Sequence, residues 1–124
     1  MAGPQRRQRG LAAYERGLRA ETKAALWLML KGYRVIARRE KTRAGEIDLI
    51  ARRGKVVAFI EVKARGDVDG AAEALGAAQR ERLARAASLY VASRPALQAF
   101  DMRFDLMLVA PRSFPRHIPD AWQV

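Results

Sequence analysis

Polar and apolar residues alternate most clearly across residues 45–65, GEIDLIARRGKVVAFIEVKAR. Residues 46–50 and the end of 56–63 carry the period-two pattern of strands, which predicts a hairpin. That period puts Glu46 and Asp48 on one face of the first strand, and Glu61 and Lys63 on one face of the second. With Arg53 and Gly54 as a two-residue turn, Arg52 pairs with Lys55, Asp48 stands opposite Phe59, and Glu46 opposite Glu61. All four charged groups then share a face. A four-residue loop keeps that arrangement, whereas three or five residues would send the two sets to opposite faces. Three carboxylates on one sheet face repel, and partial burial disfavours each ionised form. Magnesium or manganese, which take hard oxygen ligands, would neutralise them. The alternative is the wet outer face of an edge hairpin.

The flanking patterns place other elements around this hairpin. Residues 11–31 read as a helix with Leu18, Ala25 and Leu28 on its stripe, widened by Leu26, Met29 and Leu30 and stopped by Gly32. Glu21 falls on the same stripe, as a boundary carboxylate or as one aimed at the acidic hairpin. Residues 33–37 read as a short strand, and 38–44 as a connection with four cations, Arg38, Arg39, Lys41 and Arg43. Asp67 and Asp69 are candidate caps for a second helix over residues 71–92, which Pro95 ends. Its stripe of Leu75, Leu83 and Ala86, with Leu89 and Tyr90 nearby, is interrupted by Gln79, a partly wet amide or a group turned to the site. Gly76 weakens the start of this helix by about 1 kcal/mol relative to Ala. Residues 102–109 read as a last strand, covered on both faces. Pro111, Pro115 and Pro119 predict an irregular tail anchored by Trp122. His117 has no neighbour at ligand spacing and is not expected to act in catalysis.

The chain has 124 residues, enough for one domain with a modest core. The expected division is a disordered basic arm at 1–10, a single domain at 11–110, and a packed tail at 111–124. With no cysteine, thiolate and disulfide chemistry are excluded. No apolar run approaches the roughly 18–20 residues of a membrane span, and the N-terminus resembles no signal peptide. A soluble cytoplasmic protein without a membrane partner is therefore expected. The formal charge is +11, with 24 basic and 13 acidic residues, and 15 of the basic ones precede Val56. That asymmetry is the footprint of a polyanion-binding face. An arginine-rich composition spread over ordinary surfaces is the alternative.

The order helix, three strands, helix, strand, with Glu21 on the helix, Asp48 on the second strand and Glu61-Val62-Lys63 on the third, resembles the PD-(D/E)xK nuclease superfamily. More closely, GxxxE at 17–21, GEIDLI at 45–50, FIEVKAR at 59–65 and RFD at 103–105 are similar to the YraN-like family of predicted endonucleases. The resemblance spans about residues 14–110. It implies an α/β fold with a restriction-endonuclease-like core, a mixed sheet flanked by helices. It also implies magnesium- or manganese-dependent hydrolysis of phosphodiesters, with DNA the expected substrate and a homodimer a possible state.

In this resemblance Asp48 and Glu61 are metal ligands, the Val62 carbonyl completes the shell, and Glu21 binds the metal directly or through water. Lys63 orients or helps deprotonate the attacking water. Glu46 and Gln79 are supporting groups, Gln79 standing where relatives often carry Lys. Arg38, Arg39, Lys41, Arg43 and Arg65 are the expected nucleic-acid contacts. The competing expectation is a nucleic-acid-binding module or accessory protein that keeps the fold with little turnover.

Overall fold

The computed structural model describes residues 4–64 and 76–122. Helix α1 covers Pro4–Leu30. Strands β1 (Arg34–Thr42), β2 (Gly45–Arg53) and β3 (Val56–Ala64) follow. Helix α2 (Ala77–Ala92) and a 3-10 turn (Pro95–Leu97) lead to β4 (Asp101–Val109) and β5 (Arg116–Trp122). The five strands form one mixed sheet in chain order. Neighbours are antiparallel except β3 and β4, which are parallel and joined through α2. A parallel pair needs such a crossover.

The two helices cover opposite faces. Ala20, Ala24, Ala25 and Leu28 of α1 pack on Leu49, Ala51, Ala58, Ile60 and Met107. Leu83, Ala86, Ala87 and Tyr90 of α2 pack on Ile47, Ile50, Val57, Phe59, Phe104 and Leu106. Small residues let α1 lie close to the sheet, so its buried stripe is narrower than the pattern predicted. Leu26, Met29 and Leu30 stay 54%, 51% and 81% exposed. Gly32, at φ 89°, ends the helix as expected, with Tyr33 N–H donating to the Leu28 carbonyl and Gly32 N–H to that of Met29. This pairing requires the left-handed residue that glycine supplies.

Several expectations are corrected. Residues 4–10 belong to α1 instead of a disordered arm, since Pro4 is tolerated in a first turn and Gln and Arg favour helix. The cationic stretch after residue 37 is strand through Thr42, leaving only residues 43–44 as a turn. Helix α2 starts at Ala77 because Gly76 is extended, at ψ 164°. Leu75, Asp67, Asp69 and the start expected at 71 lie outside the described residues. The tail is ordered as β5, an edge strand in which Pro119 removes no needed donor. Trp122 is the anchor foreseen, 7% exposed and stacked on Phe104.

The hairpin register also differs. Arg53 pairs with Val56, so the two-residue turn is Gly54-Lys55, with Gly54 at φ 59°. Pairing then runs through Leu49 and Ile60, and its continuation faces Asp48 with Glu61 instead of Phe59. Moving a two-residue turn by one position preserves face parity, so Asp48 and Glu61 still meet.

Candidate metal centre and nucleic-acid interface

Strand β2 turns over at Asp48. Ile47 and Ile50 join the α2-side core, while Leu49 joins the α1 side. Strict alternation would place Ile47 and Leu49 together. On β1, Arg38 pairs with Leu49 and Glu40 with Ile47. Arg39 therefore lies across from Asp48, and its φ is 50°, an uncommon conformation for a side-chain-bearing residue. The distortion separates two acids that period two put together. Glu46 is drawn to Arg39, at 3.9 Å with its side chain 40% exposed, while Asp48 turns to Glu61. The expectation that Glu46 shares the Asp48 face is thus overturned.

Asp48 and Glu61 face each other across β2 and β3 in the continued register, close enough for the charge of one to act on the other. Asp48 Oδ2 also accepts the Val62 backbone N–H at 2.9 Å. Burial, then the charge of Glu61, push the Asp48 carboxyl up to about 7, against the lowering effect of Val62 N–H. One proton held between two carboxyls is the expected state of close acids without a cation. Glu61 is buried. Its Oε1 accepts Gln79 Nε2 at 3.0 Å and lies 3.4 Å from Lys63 Nζ. Gln79 and Lys63 therefore both lie against Glu61.

Glu21 reaches the same end of the sheet from α1 and is 3% exposed. Its charge contributes to the raised Asp48 pKa. Both its oxygens are engaged, Oε2 by Arg39 at 2.9 Å and Oε1 by Arg38 at 3.5 Å. Arg38 also donates to Thr22 Oγ1 at 2.9 Å. Arg38 and Arg39 are thus tied to the carboxylate cluster, while Lys41 and Arg43 are exposed. Arg65 lies outside the described residues. Among the described residues, no three His, Cys, Asp or Glu side chains stand close enough together to hold a metal ion. Asp48 and Glu61 make a two-carboxylate site that a divalent cation fits by charge, with Glu21 beside it on the arginines.

A polar constellation missed by sequence reasoning lies between β4 and β5. Asp105 is fully buried and takes both Arg103 Nε and Nη2 at 2.8 Å, His117 Nε2 at 2.7 Å and Asp120 N–H at 2.9 Å. Arg103 continues to the Tyr33 hydroxyl at 2.5 Å. Burial pushes the Asp105 carboxyl up, but Arg103, His117 and Asp120 together hold it below the usual carboxylate range. The signal was an acid inside an apolar strand with Arg two positions earlier, on the same face. The histidine partner came only with β5.

The molecule is an α/β protein whose mixed five-stranded sheet carries a carboxylate pair, Glu61 buried and Asp48 half-buried, flanked by Lys63 and Gln79. The family model described as "Uncharacterised protein family UPF0102" matches residues 20–109, and the chain belongs to that family. It is 59% identical over 114 residues to a UPF0102 protein of Parvibaculum lavamentivorans, covering 92% of this chain and 86% of the relative. A UPF0102 protein of Caulobacter vibrioides is 52% identical over 122 residues, covering 98% of each chain. No helix among the described residues is long and apolar enough to cross a membrane.

Proposed function

We propose that this protein is a metal-dependent nuclease that hydrolyses phosphodiesters, with DNA as substrate. The observation that carries the reading is the Asp48–Glu61 pair, two carboxyls brought opposite each other from neighbouring strands beside Lys63. A protein of charge +11 that binds polyanions gains nothing from buried acids at its basic face unless a cation joins them. Asp48 and Glu61, with the Val62 carbonyl, would hold magnesium or manganese, which when bound supplies positive charge for a phosphoryl oxygen and acidifies a water. Lys63, on the same strand face as Glu61, would meet charge on the phosphate and orient the water. Gln79 holds Glu61 in place, and Arg38 and Arg39 hold Glu21. The restriction-endonuclease-like core implied by the sequence motifs agrees with a parallel β3–β4 pair whose crossover carries Gln79.

A second reading, a nucleic-acid-binding protein with little turnover, is favoured by the Glu21 arrangement, in which a third acid is taken up by arginine. Calorimetric titration of magnesium and manganese into wild type and Glu61→Gln tests the first reading, followed by cleavage of branched, flapped and single-stranded DNA. Binding lost in the variant, with cutting by wild type, supports the nuclease. No cation binding, even with duplex or junction DNA present, leaves the binding protein.

A further inference from the structure

We infer that the groove between α2 and the β1–β2 turn is a second binding site, which takes one strand of nucleic acid by its phosphates and leads it to the Asp48–Glu61 pair. Its walls carry Arg43, Arg82 and Arg85, and Ala44, Ala84 and Leu89 form its apolar lining. Glu81 is the acid at its rim. The inference extends the nuclease reading and rests on it only for what happens to the strand once delivered.

Two observations carry it. The first is the placement of Arg82. Gly45, the residue before Glu46, has φ 134°, and a Cβ there would come within 2.5 Å of Arg82 Nη1 and 3.3 Å of its Cδ. The Arg82 side chain thus lies across the start of β2 in a space that only glycine leaves. Arg82 is also three residues beyond Gln79, which bonds Glu61, so the two occupy neighbouring positions on one helix face. Along the helix axis, Arg82 and Arg85 stand about 4.5 and 9 Å beyond Gln79. That spacing suits successive phosphates approaching the carboxylate pair.

The second observation is which cations are taken. Arg39 is paired with Glu21, Arg94 with Glu40, and Arg103 with Asp105. Arg43, Arg82 and Arg85 make no ion pair with an acid among the described residues. Three arginines with no ion-pair partner among the described residues, against the single acid Glu81, line a groove with small apolar side chains and present planar donors for phosphate and a surface for sugar. The occupant is therefore a phosphodiester backbone.

The test is fluorescence anisotropy with a fluorescein-labelled 20-nucleotide strand and the matching duplex, in EDTA, over a salt series. Wild type should bind with strong salt dependence. Arg82→Ala/Arg85→Ala should weaken binding about tenfold near 0.1 M salt, and the slope of log K against log salt should fall by roughly 1.5. The control Arg34→Ala/Arg116→Ala removes the same charge from exposed positions outside the groove and should retain most of the affinity. Melting curves establish that each variant is folded. Equal loss in both double variants, no loss in the groove variant, or no binding by wild type would overturn the groove. Manganese titration of the groove variant separates the two readings. Retained cation binding with lost strand affinity supports the groove, whereas the carboxylate site stands or falls on Glu61→Gln alone.

Discussion

Asp48 accepts the backbone N–H of Val62 at 2.9 Å, next to Glu61 on the neighbouring strand. A carboxyl of the second strand is thereby fixed to the third strand where their ladder ends at Leu49 and Ile60. Its pKa, raised to about 7 by burial and by Glu61, links protonation to folding. The raised value means that the folded protein holds a proton which the unfolded chain releases near pH 4. The contribution is fully present below about pH 4 and is lost as pH rises through 7. Asp48→Asn keeps an acceptor for Val62 and a donor for Glu61 without titrating. At pH 8, without divalent cations, this variant should be more stable than wild type by about 1–2 kcal/mol, roughly 4–8 °C in melting temperature. The gain should shrink toward pH 5, as thermal melts across pH will show.

On the nuclease proposal, a cation bound at the pair would displace the proton that Asp48 holds. Near pH 6.5, titrating manganese in buffers of different ionisation enthalpy should show release of somewhat under one proton per cation. Release should fall toward zero above pH 8. A proton count independent of pH would place the cation elsewhere.

Glu21 is placed to hold Arg38 and Arg39, not to complete a three-acid site in this arrangement. Glu21→Gln should therefore leave manganese affinity without DNA within about threefold of wild type, and lower stability by about 1–2 kcal/mol as the buried ion pair is lost. Calorimetry and urea denaturation read the two effects separately. A large loss of cation affinity would restore Glu21 as a ligand.

Asp105 joins Arg103, His117 and the Asp120 backbone, at a place the proposed chemistry does not use. Asp105→Ala should cost about 3–5 kcal/mol by leaving Arg103 and His117 without their acceptor. Because the native carboxyl lies below its ordinary value, its contribution is present above about pH 4 and is lost as pH falls through the lower folded value. Urea denaturation at pH 7 and pH 3 should show the variant's deficit narrowing in acid.

Gly45→Ala places a side chain at φ 134° and against Arg82. The Arg82 end can swing away, but the backbone strain remains, so a loss of about 1 kcal/mol or more is expected. Weaker DNA binding should accompany it, with manganese affinity little changed; denaturation, anisotropy and calorimetry check the three.

The local pattern determined much of this protein. Alternation located β2 and β3, Gly32 marked the end of α1, and spacing brought Glu61 and Lys63 to one face. Helical periodicity also singled out Gln79 and Glu21 as polar groups on buried stripes, because neighbouring side chains follow from backbone period alone. Tertiary structure decided the rest. The turn at Gly54-Lys55, instead of one residue earlier, set Asp48 across from Glu61, and the reversal at Asp48 moved Glu46 to Arg39. Neither event has a period to read, since both balance strand pairing against packing from two helices. His117 gained its role only when β5 came beside β4, joining residues 12 positions apart. Likewise, Arg82 became a neighbour of Gly45 only when the β3–β4 crossover laid α2 over the hairpin. Sequence spacing reports which groups share an element; contacts between elements depend on how the whole sheet and its helices pack.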